Sequence, residues 1–127
     1  MQHWEVLIID AHATFRRSAV QFIQEHCAEM LCVVGTSTAS EQALLLAAEL
    51  RPQIVLFGLQ VIVLPDLSQI MKLRWLLPES GIIALGVLDI DDYRTVICAA
   101  GADGLIAKDS LKVSLVPTIE QVMHSYR

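Results

Sequence analysis

Apolar residues fall along this chain in two rhythms. Short unbroken runs recur in Val6-Leu7-Ile8-Ile9, Leu31-Cys32-Val33-Val34, Ile54-Val55-Leu56-Phe57, Ile82-Ile83-Ala84-Leu85 and Leu105-Ile106-Ala107. Apolar runs of about four to eight residues bounded by turn residues suit strands covered on both faces. The third run is the plainest: it enters from Pro52, which ends a helical pattern, and stops at Gly58. Between the runs, apolar residues return at helical spacing. Phe15, Ala19, Phe22 and Ile23 predict a first helix over about Thr14 to Cys27. Ala43, Ala47 and Leu50 mark a second, Ile70, Leu73 and Leu77 a third, and Leu115, Ile119 and Val122 a last one.

Local signals sharpen the boundaries. Thr38-Ala39-Ser40-Glu41 fits a capping box, with a hydroxyl at the N-cap and a carboxylate three residues on. Pro65-Asp66 suits the first positions of the third helix. Asp91-Asp92 should open a fourth, where negative charge is favoured, and Gly101 should close it. Pro117 lies inside the last helical pattern and is expected to kink that helix or delay its start.

Five strands alternating with five helices predict an α/β fold, a doubly wound parallel sheet built from βαβ units. In the flavodoxin-like order 2-1-3-4-5, strands one and three lie side by side at the switch point, where such folds bind ligands. Asp10, Gly58, Gly86 and Lys108 would then end on one rim.

The 127 residues suit one domain, 1–127, and a hydrophobic content of 54% suits a sheet covered on both sides. No apolar run approaches the roughly 20 residues that span a bilayer. The start, Met1-Gln2-His3-Trp4-Glu5, lacks the basic flank of a signal peptide, so a cytoplasmic location is expected. The net charge is -5, and no basic cluster exceeds Arg16-Arg17, which argues against direct nucleic-acid binding. Cys27, Cys32 and Cys98 form no C-x-x-C pair and read as reduced small hydrophobes.

Specific stretches carry a resemblance. Val6-Leu7-Ile8-Ile9-Asp10-Ala11-His12, the exit Leu50-Arg51-Pro52, Leu73-Arg74-Trp75-Leu76-Leu77-Pro78-Glu79, and Gly101-Ala102-Asp103-Gly104-Leu105-Ile106-Ala107-Lys108-Asp109 all contribute to it. Together they resemble the receiver domain of two-component response regulators, in particular the NarL/FixJ (LuxR-type) subgroup. The resemblance implies a phosphorelay signalling module that controls a transcriptional output domain. It also implies what is missing. The family's pair of metal-holding acids corresponds here to Asp10 and Ala11. Its phospho-accepting Asp corresponds to Gly58, its Ser or Thr ending strand four to Gly86, and its strand-five aromatic to Leu105. A Pro common after the acceptor corresponds to Ile62. Asp10 and Lys108 remain.

Phosphoryl transfer needs a nucleophile and a cation to neutralise developing charge. Gly58 has no side chain, and Asp10 alone is a poor Mg²⁺ site. The expectation is therefore a degenerate phosphorylation pocket in a pseudo-receiver. It would have no catalytic residues, no metal and no cofactor, and Asp10 would pair with Lys108 across an emptied site. Asp66 as a substitute acceptor reads better as a charge at a helix start. His12 beside Asp10 offers too few ligands for a metal. Asp89, Asp91 and Asp92 read as a solvated helix start. Val61-Ile62-Val63-Leu64 is apolar for a loop and marks a candidate surface for a protein partner, be it a second copy, an adjacent output domain or another signalling protein. Two other classes fit the same sequence: a small-molecule sensor using the emptied rim, and an active Mg²⁺-dependent receiver with an unrecognised acceptor.

Overall fold

Every residue of β3 (Ile54–Gly58) and of β4 (Gly81–Gly86) is buried. Their unbroken apolar runs require this, because both strands lie inside a sheet that helices cover on each side. In the computed structural model, residues 3–60, 64–87 and 90–125 are described. The remaining elements are β1 (Trp4–Ile9), α1 (Ala13–His26), β2 (Leu31–Ser37), α2 (Glu41–Leu50), α3 (Leu64–Leu76), α4 (Arg94–Ala100), β5 (Gly104–Ala107) and α5 (Leu111–His124). The strands form one parallel sheet in the order β2-β1-β3-β4-β5. This is the flavodoxin-like architecture, with five strands and five helices.

The two-residue period of each strand divides the core into two layers. Leu7, Ile9, Val55, Phe57, Ile82, Ala84 and Leu105 face α2, α3 and α4, where Ala43, Ala47, Ile70, Leu73 and Ile97 meet them. Val6, Ile8, Ile54, Leu56, Ile83, Leu85 and Ile106 face the other way, onto Ala19 and Ile23 of α1 and Leu111, Leu115, Ile119 and Val122 of α5. Cys27 belongs to this second layer, where burial pushes its thiol up from the ordinary value.

Several boundaries differ from the sequence reading. The capping box before α2 does not form. The N-cap is Ser40, Glu41 is the first helical residue, and the Thr38 hydroxyl lies 3.2 Å from that of Ser40. Asp91 and Asp92 sit in a 3-10 turn, Ile90–Tyr93, ahead of α4, and Asp91 pairs with Arg94 at 2.7 Å. Lys108 opens a 3-10 turn, Lys108–Ser110, just past β5. Gly101 closes α4 as expected, at φ 133°, a conformation costly to residues with a Cβ. Val61, Ile62, Val63 and Asp89 lie outside the described residues, and Leu64 enters only as the first residue of α3.

The interruption expected at Pro117 is not found. α5 starts at Leu111 and runs unbroken through Pro117 to His124. Val113, whose carbonyl would have accepted the missing N–H, is 80% exposed, and Pro117 is exposed too. On that outer face water can take up the freed carbonyl, so the core face of the helix is undisturbed. Replacing Pro117 with Ala restores the bond. It should stabilise the domain by about 1–2 kcal/mol after allowing for the greater freedom of the unfolded chain, as measured by urea unfolding.

Candidate functional site: the carboxyl rim of the sheet

Parallel strands end together, so one rim collects the residues that follow them. The last paired positions of β1 and β3 are Ile9 and Phe57, which puts Asp10 and Gly58 side by side one step on. Gly58 pairs with Leu85 and Gly86 with Ala107, which brings Gly86 and Lys108 to the same edge. Asp10, Gly58, Gly86 and Lys108 therefore share the rim as the sequence reading expects. Leu105 lies two residues back inside β5 and packs into the core.

The space beside Gly58 is not empty. A side-chain carbon on Gly58 would overlap Oδ2 of Asp10 and would stand 2.6 Å from its Cγ and 3.1 Å from its Cβ. Adjacent strands in register put neighbouring Cβ positions only about 5 Å apart. With Gly on one side, the Asp10 side chain leans across into its neighbour's volume. The Asp10 residue is fully buried, and Lys108 Nζ approaches its Oδ2 at 2.6 Å. That contact is ionic and lacks the alignment of a hydrogen bond, leaving Oδ2 without a donor among the described residues. Oδ1 accepts the backbone N–H of His12 at 2.7 Å, and the His12 ring, itself 64% exposed, lies 3.4 Å away. Lys108 Nζ also lies over the Phe15 ring, 4.6 Å from the centroid, an arrangement that favours a cation.

A second anchor fixes the turn itself. Arg16 Nη1 donates to the Asp10 backbone carbonyl at 2.5 Å, and the Asp10 N–H donates to Ser37 O at 2.9 Å. The start of α1, the end of β1 and the end of β2 are thus tied around one acid. Ala11 is half-buried and carries no ligand atom. Asp66 lies in the first turn of α3, half-buried and with an interaction of its own. Among the described residues, no group of three or more His, Cys, Asp or Glu side chains comes together to hold a metal ion.

No family model matches the chain. It is 29% identical over 123 residues to the response regulator GacA of Pseudomonas aeruginosa, covering 97% of this chain and 56% of that protein. Against the nitrate/nitrite response regulator NarL of Escherichia coli it is 28% identical over 116 residues, 91% of this chain and 53% of that one. Over nearly its whole length the chain resembles the receiver domain of NarL/FixJ-type response regulators. Solved structures agree on the fold. A LuxR-family two-component response regulator from Aurantimonas superposes with a TM-score of 0.84 at 21% identity, covering 99% of this chain and 89% of the other. The receiver domain of NarL from Mycobacterium tuberculosis gives 0.81 at 18% identity, with 98% of each chain covered. The chain spans about half the length of the curated relatives it matches.

Sequence reasoning named Asp10 and Lys108 as the rim's charges and weighed His12 only as a metal ligand; it gave Phe15, Arg16 and the His12 N–H no part in holding the pair. Phe15 and Arg16 had a signal, since both lie within the first turn of a helix that starts just after Asp10. The collision between Asp10 and position 58 had none, because it depends on strand register and side-chain direction.

Proposed function

We propose that this receiver domain works as a pseudo-receiver, a regulatory binding module that passes a signal without Asp phosphorylation. One observation carries the reading: the Asp10 carboxylate, buried and paired with Lys108, occupies the volume that an acceptor side chain on Gly58 would need. A phosphoryl group needs a nucleophile and a counter-cation here. Gly58 supplies no oxygen, Ala11 no second carboxylate, and the remaining acid is engaged. On this reading the domain is not an enzyme and uses no cofactor.

Its partners would be proteins: a second copy, an output domain joined to it, or another signalling protein. The coverage of the GacA and NarL relatives, near half, supports an attached output domain of transcriptional type. The acidic balance supports leaving DNA contact to that domain. A cytoplasmic setting fits a two-component module. No helix among the described residues is long and apolar enough to cross a membrane.

The test is incubation with acetyl phosphate and Mg²⁺, followed by intact mass. No increase is expected at any time point. A stoichiometric gain of one phosphoryl group, mapped to any Asp of this chain, would overturn the reading and restore the active receiver.

A further inference from the structure

We propose that Asp10 is a tethered ligand. Its carboxylate permanently occupies a carboxylate-binding site built from Lys108, Phe15, the His12 N–H and the side-chain space left by Gly58. This rests on the reading that the rim takes no phosphoryl group, and it supplies the device that sets the rim's state in its place.

The surroundings are those of an anion site. Lys108, with its side chain 11% exposed, places its ammonium charge 2.6 Å from Oδ2. The Phe15 ring, over which the ammonium lies at 4.6 Å from the centroid, favours the cation in this place. The His12 N–H, at the start of α1, donates to the second oxygen at 2.7 Å. Such a pocket, with a cation and a backbone N–H converging in a desolvated place, would hold any small carboxylate of the right size. The occupant is instead covalently attached, at an effective concentration that no free anion matches. It can reach the site only because residue 58 is Gly, since a Cβ there would lie 2.6 Å from Cγ of Asp10. The lock and the missing side chain are thus one structural feature. A side chain at residue 58 and the Asp10–Lys108 pair exclude each other. The contact ties the β1–α1 turn to the turn that opens α5, so the junction keeps one conformation without an added anion.

Removing the tethered group should open the site. Asp10→Ala deletes one formate-sized group, so formate is the probe, with acetate as a larger homologue. Thermal unfolding of the chain at neutral pH is compared in sodium chloride, formate and acetate at equal ionic strength. In chloride, Asp10→Ala should melt about 5 °C or more below the parent. Formate should recover at least half of that loss and acetate less, while the parent is unmoved relative to chloride. Asp10→Ala combined with Lys108→Met should not respond. Asp10→Asn, which keeps the shape and loses the charge, should also melt low and ignore formate. If Asp10→Ala does not fold in chloride, the yield of folded protein in formate against chloride serves as the same readout.

Equal responses of parent and variant to formate, recovery that survives loss of Lys108, or an Asp10→Asn chain as stable as the parent would each overturn the proposal. A phosphoryl mass gain on the parent chain would strike the underlying reading instead, so the two failures are separable.

Discussion

Gly58→Asp is expected to destabilise the domain by about 3 kcal/mol or more and to leave it unphosphorylated. The new Cβ alone overlaps Asp10 Oδ2 and lies 2.6 Å from Cγ, so one of the two side chains must leave the site. Expelling Asp10 separates a fully buried carboxylate from the Lys108 ammonium, and loss of one partner from a buried pair costs about 3–5 kcal/mol. Keeping both carboxylates crowds two negative charges against Lys108, and overpacking adds about 1–3 kcal/mol. Urea unfolding measures the loss. Phosphorylation should stay absent because Ala11 still withholds the second acid and Gly86 the hydroxyl. A single oriented donor in such sites is worth roughly 3 kcal/mol, or about a hundredfold in rate. Adding Ala11→Asp and Gly86→Thr to Gly58→Asp should raise the rate more than additively, since groups that act as a unit do not contribute independently. Phosphoprotein mass over time across the single, double and triple variants decides the matter. Full activity from Gly58→Asp alone would mean that Asp10 swings aside at little cost and that the rest of the rim is intact.

Arg74→Ala should cost about 3 kcal/mol, the second largest single effect expected here. Arg74 stands in the last turn of α3, and its guanidinium serves five groups at the edge of the sheet opposite the rim. Nε donates to Gly101 O at 3.0 Å, and Nη1 to Leu77 O and Pro78 O at 3.2 Å each and to Ser80 O at 2.9 Å. Nη2 pairs with Asp103, whose carboxylate also accepts the Ile82 N–H at 2.9 Å. One side chain thus joins the end of α3, the end of α4 and the entries to β4 and β5. Charged hydrogen bonds contribute about 1.5–3 kcal/mol each, but these share one donor and do not add. The Arg74 side chain is only 24% exposed, so water replaces the lost donors poorly. Arg74→Lys should recover less than half, because an ammonium cannot reproduce the planar fork. Thermal or urea unfolding of both variants is the measurement. A loss below about 1 kcal/mol for Arg74→Ala would show that the carbonyls are solvated without it.

Much of this domain was legible without coordinates, for a physical reason. Strand burial on both faces writes itself as unbroken apolar runs, and Ile54 to Phe57 or Ile82 to Leu85 have no other comfortable place. Alternation of runs with helical spacing then leaves few topologies, and 2-1-3-4-5 is among the commonest. Parallel strands end at one edge, so the meeting of Asp10, Gly58, Gly86 and Lys108 followed from strand ends alone. Local signals were less dependable. Ser40, not Thr38, became the N-cap, and Pro117 was absorbed because its side of α5 faces water.

What only the tertiary structure decided is the state of the rim. From the sequence, the absence of side chains at Gly58 and Gly86 reads as an emptied pocket. The folded chain instead has Asp10 leaning into the space beside Gly58, held by the His12 N–H and by Lys108, whose ammonium lies over the Phe15 ring. The same holds for Arg74 and Asp103, which stand 29 positions apart and meet only through the crossing of α3 with the entry to β5. A sequence records what each residue could donate, accept or fill. Which neighbour takes up a vacated volume depends on strand register and side-chain direction, and at this rim the neighbour is Asp10, because its strand lies directly beside β3.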